Sequence, residues 1–284
     1  MKRLAGRTAI VTGASAGIGL HVARALAREQ MNLVLAARSA DTLHGLAAEL
    51  EQTGVDVLAV PTDVACVSAL DRLVERAIGR FGGIDVLVNN AGVEAWRVFH
   101  ELPVEEIERT IQVNLTAAVV LSRLVVPWML RSGGGHVVNM SSTAGKQGPA
   151  YGAVYGATKA GLIALTQSLR AEYHGSGVSS SVICPGFTDE GGIYERIKRS
   201  SGRGTPPWMG RTSADAVARA VVRAIRRDRP DVIVNVPPMR PVFALAELFP
   251  SLGGWMVRLA TRRFLRRAAK GSPEATQTRR RRAA

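Results

Sequence analysis

Up to about Val236 the chain alternates short β-branched runs with longer helical patterns, and nothing else in it restricts the fold so tightly. The segments 8–11, 32–37, 55–60, 84–88, 136–140, 178–184 and 231–236 read as strands. Most are near-continuous apolar runs, as expected of parallel strands covered on both faces. Helical patterns fill the gaps at 17–30, 41–53, 66–80, 104–131, 155–174 and 213–227. Seven strands alternating with six helices predict an α/β fold, a doubly wound parallel sheet with right-handed crossovers. In such a sheet a ligand lies at the carboxyl ends of the strands, near the point where strand order reverses.

Composition narrows the class further. The cysteines Cys66 and Cys184 form no metal-ligand spacing, so they fit a reducing, cytoplasmic compartment and predict no metal site. The basic start MKRLAGR precedes an apolar run too short for a signal peptide. No stretch of about 20 apolar residues is expected to span a bilayer. The net charge is +14, yet eleven basic residues against Glu247 and Glu274 put +9 of it beyond position 239. Residues 1–239 therefore read as one domain of mildly basic character, with an irregular Gly/Ser/Pro-rich loop at about 187–212. Residues 240–270 read as a helical extension, broken at Pro250 and Gly253-Gly254, and 271–284 as a disordered basic tail. In the extension Val257, Ala260, Phe264 and Ala268 share one face, while Arg258, Arg262 and Arg266 recur every four residues on another.

The first strand runs into Gly13, Ser15, Ala16, Gly17, Ile18 and Gly19 and then a helix. Glycines there allow a tight turn and let backbone N–H groups approach a pyrophosphate, while the helix N-terminus favours negative charge. The spacing TGxxxGxG resembles that of the short-chain dehydrogenase/reductase family. Asn89-Asn90-Ala91-Gly92, Ser142, Tyr155 with Lys159, Asn114 and Pro185-Gly186 match its further motifs in order, over residues 5–236. The resemblance implies an NAD(P)-binding oxidoreductase, with Asn114 holding a proton-relay water and Lys159 holding the cofactor ribose. It also implies a homodimer or homotetramer joined through helices 104–131 and 155–174.

At the end of the second strand an acidic residue would hold the NAD ribose, but the sequence there is Ala36-Ala37-Arg38. Arg38 suits a 2′-phosphate, so NADP(H) is expected over NAD(H), although position 16 lacks the basic residue common in the family's loop. Asp63, with Val64 beside it, resembles the family's adenine-contacting position and could equally cap a helix. Where the family carries a threonine this chain has Glu190, and Thr188 is the nearest substitute.

Tyr155 and Lys159 are four apart on a helix and share a face. A free tyrosine has a pKa of about 10, and a nearby ammonium is expected to lower it towards the range useful for proton transfer. Tyr155 then exchanges a proton with the substrate oxygen while hydride moves between nicotinamide and carbon. Ser142 would hydrogen-bond that oxygen. Tyr151 has no lysine four residues on and is expected to line the pocket. Phe187, Tyr194, Trp208 and Met209, with Trp96 and Phe99, predict an apolar wall and a hydrophobic carbonyl or alcohol substrate.

Two rivals stand beside this. One is a cofactor-binding sensor or scaffold without chemistry. The other is a reductase at a membrane surface, with 241–270 touching lipid and lipid-like substrates; the same segment packing over the cleft is the simpler alternative. No groove-reading motif supports nucleic acid as the partner of the arginine run.

Overall fold

Strand β1 (Thr8–Thr12) is buried at every residue and lies in the middle of the sheet, as a run without a polar side requires. The computed structural model describes residue 1, residues 3–189 and residues 211–270. Around β1 lie β2 (Asn32–Ala37), β3 (Val57–Pro61), β4 (Val86–Asn89), β5 (Gly135–Met140) and β6 (Val178–Pro185). The pair β7 (Phe187–Asp189) and β8 (Arg211–Ser213) forms a separate short parallel ladder, and β9 (Asp231–Val234) closes the main sheet. The seven-stranded order is β3-β2-β1-β4-β5-β6-β9, parallel throughout, so the direction of winding reverses between β1 and β4. The predicted doubly wound sheet is present. The short β7–β8 ladder was not foreseen, because it pairs residues on either side of the long loop.

Helices α1 (Gly17–Arg28) and α2 (Ala40–Glu51) cover one face of the sheet and α3 (Val67–Phe81) the other. The expected single helix over 104–131 is α4 (Val104–Ile111), one wide π-turn at Gln112–Thr116, and α5 (Ala117–Arg131). Such turns insert an extra residue into a helix and recur at functional sites. By length and composition Val104–Arg131 is apolar enough to cross a membrane, contrary to the sequence reading. Half of that window is buried, with α5 against α3, β4 and β5, which is the packing of a core helix. A short α6 (Thr143–Lys146) follows β5, α7 (Ala153–Glu172) packs over β5 and β6, and α8 (Ala214–Arg227) joins α1.

The chain ends in a helical hairpin, α9 (Arg240–Leu248) and α10 (Pro250–Lys270). Gly253-Gly254 does not break the second helix as expected; the turn is complete by Pro250, whose missing N–H costs nothing at a first helical position. Gly253 instead lets the helices touch. A Cβ there would lie 2.8 Å from the Ala246 Cβ. Tyr194, Trp208, Met209, Glu190, the loop 190–210 and the tail 271–284 lie outside the described residues, as do the side chains of Phe264 and Ala268.

Candidate active site

A cavity of about 1150 Å³ opens at the carboxyl ends of β1, β2, β4, β5 and β6, where the strand order reverses. Its floor begins at the glycine loop. Gly13 and Gly17 have φ of +67° and +54°, which side chains other than glycine rarely adopt. Ser15, Ala16 and Ile18 complete this lip of the cavity. Gly19 lies behind it, where an added Cβ would meet the Gly13 carbonyl oxygen at 2.1 Å, so the loop can lie on α1 only with glycine there.

The residues fit a dinucleotide. Ala16, at the N-cap of α1, offers no side-chain cap, so the first N–H groups of the helix remain donors at the cavity lip. Thr12 ties the two strands at the reversal point: its hydroxyl accepts the Asn90 and Ala91 N–H groups, each at 3.0 Å. Asn90 Nδ2 donates back to the Thr12 carbonyl at 2.9 Å. Asn90, Ala91 and Gly92 thereby form the next stretch of wall. Arg38 is exposed at the end of β2 and lines the cavity, with Asp63 the one acidic residue in the wall among the described residues. Asp63 Oδ1 accepts the Ala65 N–H at 3.0 Å, so it serves the local turn while it and Val64 face the cavity.

The catalytic side chains meet at the far wall. Ser142 caps α6, accepting the Ala144 N–H at 3.1 Å and donating to the Pro185 carbonyl at 3.5 Å. Its neighbour Ser141 is structural, donating to the Lys159 carbonyl at 2.7 Å and so fixing α7 to the end of β5. Gly145 makes this contact possible: a Cβ there would sit 2.6 Å from the Lys159 carbonyl carbon. Tyr155 lines the cavity with Ser142, and Lys159 Nζ lies 5.6 Å from the Tyr155 ring centre while donating to the Met140 carbonyl at 2.8 Å. Pro185, Gly186 and Thr188 close this side, with Thr188 Oγ1 donating to the Gly186 carbonyl at 3.3 Å.

The electrostatics correct one expectation. Burial pushes the Tyr155 phenol up to about 12, opposed by the Ser142 hydrogen bond and reinforced by the Glu94 carboxylate. Lys159 does not lower it, because burial also disfavours the lysine's own charge and brings it down to about 8. Within the protein's own groups, Tyr155 is an acid at neutral pH.

Asn114 sits in the π-turn, buried, and does not line the cavity. Its Oδ1 accepts the Val93 N–H at 2.7 Å, and its Nδ2 donates to the Val93 carbonyl at 2.9 Å and Thr158 at 3.2 Å. These bonds join the loop after β4 to α7.

The apolar wall differs in part from that predicted. Phe187 and Trp96 line it, and the Trp96 ring lies 5.6 Å from that of Tyr155. Tyr151 does not, because its backbone is held in the left-handed region at φ +65° with its carbonyl accepting the Arg97 N–H. Phe99 is 66% exposed, on a short 3-10 turn directed to solvent, and lines nothing. In their place stands the hairpin: Val242 and Phe243 of α9 and Met256, Val257, Ala260 and Leu265 of α10 face the cavity. Asn235, after β9, also lines it; its Oδ1 is buried with no partner among the described residues. Nothing local in the sequence marks Asn235. The apolar stripe Val257–Ala260 was the signal for the hairpin, and the expected packing of this segment over the cleft is what the structure has.

A glycine-loop nucleotide site joined to a buried Ser-Tyr-Lys group is the arrangement of a nicotinamide-dependent oxidoreductase. The family model for short chain dehydrogenases matches residues 7–199. The ketoacyl reductase HetN of a Nostoc species is 41% identical over 239 residues, covering 84% of this chain and 82% of the relative. The 1-deoxy-11-beta-hydroxypentalenate dehydrogenase of Streptomyces exfoliatus is 36% identical over 226 residues, covering 78% and 81%. Among solved structures, a short-chain dehydrogenase/reductase of Burkholderia phymatum with NAD superposes at TM-score 0.79, with 27% identity and coverage of 89% and 97%. The L-sorbose reductase of Gluconobacter frateurii with NADPH and L-sorbose gives 0.75, with 30% identity and coverage of 82% and 97%. The chain belongs to the short-chain dehydrogenase/reductase family, and it is an NAD(P)-dependent oxidoreductase acting on a carbonyl or alcohol.

Proposed function

We propose that the protein reduces an apolar carbonyl with NADPH, Tyr155 being the proton donor. The observation that carries this is the composition of the cavity beyond Tyr155, where Trp96, Val242, Phe243, Met256, Val257 and Leu265 surround the space a substrate must fill. Such a wall holds a hydrocarbon chain or ring by burial alone, worth about 25 cal/mol per Å² of apolar surface removed from water. Bound nicotinamide cofactor supplies or accepts the hydride. Ser142 holds the substrate oxygen, and Tyr155, kept protonated by burial, gives that oxygen its proton. Lys159, charged below about pH 8, takes the role of holding the cofactor ribose. Arg38 supports the preference for NADP(H), while Thr188 and Asn235 are polar groups in the cavity wall.

The test is turnover of straight-chain ketones of increasing length with NADPH and with NADH. Rising kcat/KM with chain length and a preference for NADPH are expected; a preference for short polar carbonyls would overturn the substrate reading. Loss of all turnover in wild type, with NADPH still bound, would favour the sensor reading. Self-association through α4, α5 and α7 is proposed with it, supported by exposed Val104, Ile111, Val119 and Leu130 on α4 and α5, and light scattering behind a sizing column tests it.

A further inference from the structure

The hairpin has two apolar faces, and the cavity uses only one. Thirteen large apolar side chains are exposed among the described residues, and six of them fall between positions 245 and 259. They are Leu245, Leu248, Phe249, Leu252, Trp255 and Leu259, between 40% and 74% exposed, and none of them lines the cavity. On α9 and its C-cap the first three are spaced i, i+3, i+4, and on α10 the others are spaced i, i+3, i+7, so each set forms one stripe. The stripe on α10 continues at the same spacing into exposed Arg262 and Arg266, and exposed Arg258 lies beside it. A soluble helix that had nothing to cover would carry polar residues there.

We infer that this outer face docks on an anionic membrane surface, and that the cavity takes its substrate from that membrane. Charge chooses the occupant. The segment from Arg240 onward carries eleven basic residues against two acids, which opposes pairing with a second copy of itself and favours anionic headgroups. The order of side chains matches an interfacial helix. Trp255 and Phe249 suit the headgroup boundary, leucines enter the acyl region, and arginines reach back to phosphates. Because α10 presents Val257, Ala260 and Leu265 to the cavity from its other side, the docked hairpin is at once the membrane anchor and the inner wall of the substrate space. The site that receives an apolar carbonyl is then separated from the lipid by the thickness of one helix pair. This inference rests on the proposed reading of the substrate as apolar; the docking itself does not.

Full-length protein is co-sedimented with vesicles of phosphatidylcholine, with and without phosphatidylglycerol. Binding is expected only to the anionic vesicles. The variant F249S/W255S/L259S should lose at least about tenfold in binding, since each exposed anchor contributes by burial. R258Q/R262Q/R266Q should lose roughly fivefold per arginine at low salt and less at high salt. NADPH oxidation with a short water-soluble ketone should be unchanged in the serine variant, which shows that it is folded. With a long-chain ketone embedded in vesicles, the same variant should lose turnover. Equal sedimentation of wild type and both variants would overturn the inference. So would a wild type that ignores vesicles and self-associates only while Phe249, Trp255 and Leu259 are present. Vesicle binding without turnover of any carbonyl would leave the docking standing and sink the reductase reading instead.

Discussion

The two walls of the cavity are built on opposite principles. The wall on the sheet is polar and over-determined: Ser142 and Lys159 are held by hydrogen bonds to β5, α6 or β6, and Tyr155 is buried beside them. Behind them Asn89, Asn139 and Thr166 form a buried chain, with Nδ2 of Asn89 donating to Asn139 at 2.9 Å and Nδ2 of Asn139 to Thr166 at 3.0 Å. The hairpin wall is apolar, and a polar tie to the body is Thr261 Oγ1 accepting the Ala150 N–H at 3.0 Å. Directional bonds fix atoms to fractions of an ångström, which proton transfer needs. Apolar contacts fix only shape and volume, which suffices to choose a substrate. The comparison teaches that chemistry and selectivity are carried by different kinds of force, on opposite sides of one space.

That separation can be broken or sharpened by substitution. The largest effect is expected at Tyr155→Phe, which should cost about a thousandfold in kcat while leaving NADPH binding, read by its fluorescence, within about twofold. Lys159→Met tests the same wall through stability. The folded pKa of about 8 lies below the ordinary 10.5, so the burial penalty on its charge is full below pH 8 and vanishes above pH 10.5. The stability of wild type relative to the variant should therefore rise by about 3 kcal/mol across that window, as read from urea unfolding at both ends. Arg38→Ala removes a charged donor to a phosphate and should weaken NADPH by roughly 10- to 100-fold, with little change for NADH. On the hairpin wall, Ala260→Phe should raise KM severalfold for long ketones, by about 1 kcal/mol, and leave short ketones unaffected. A matching loss of kcat on short ketones would show that the two walls are not independent.

What was legible in the sequence was local. The glycine loop, the Ser-Tyr-Lys set and the strands are written in contiguous runs, because sheet burial and tight turns constrain neighbours in sequence. The misses were all tertiary. The Tyr155 phenol rises because the fold buries it together with Lys159, and spacing on a helix reports proximity without reporting desolvation. Tyr151 and Phe99 look like pocket aromatics, yet a left-handed backbone and a solvent-facing turn take them elsewhere. Gly253-Gly254 reads as a helix break by propensity, and packing on Ala246 overrides it. The hairpin's packing over the cleft was legible as one reading of 241–270, and contacts such as that of Thr261 with Ala150, more than a hundred residues away in the chain, realise it.

Gly145 carries a consequence for anyone who would redesign this enzyme. It has no functional group and touches no substrate, yet a single added methyl would collide with the backbone of Lys159 at 2.6 Å. Relief of that collision must move α6 away from α7, and with it the hydroxyl of Ser142 away from the phenol of Tyr155. A position close to the reaction that tolerates no side chain is thus an absence. A library that varied every chemically active side chain and overlooked this one would misjudge where the site's freedom ends.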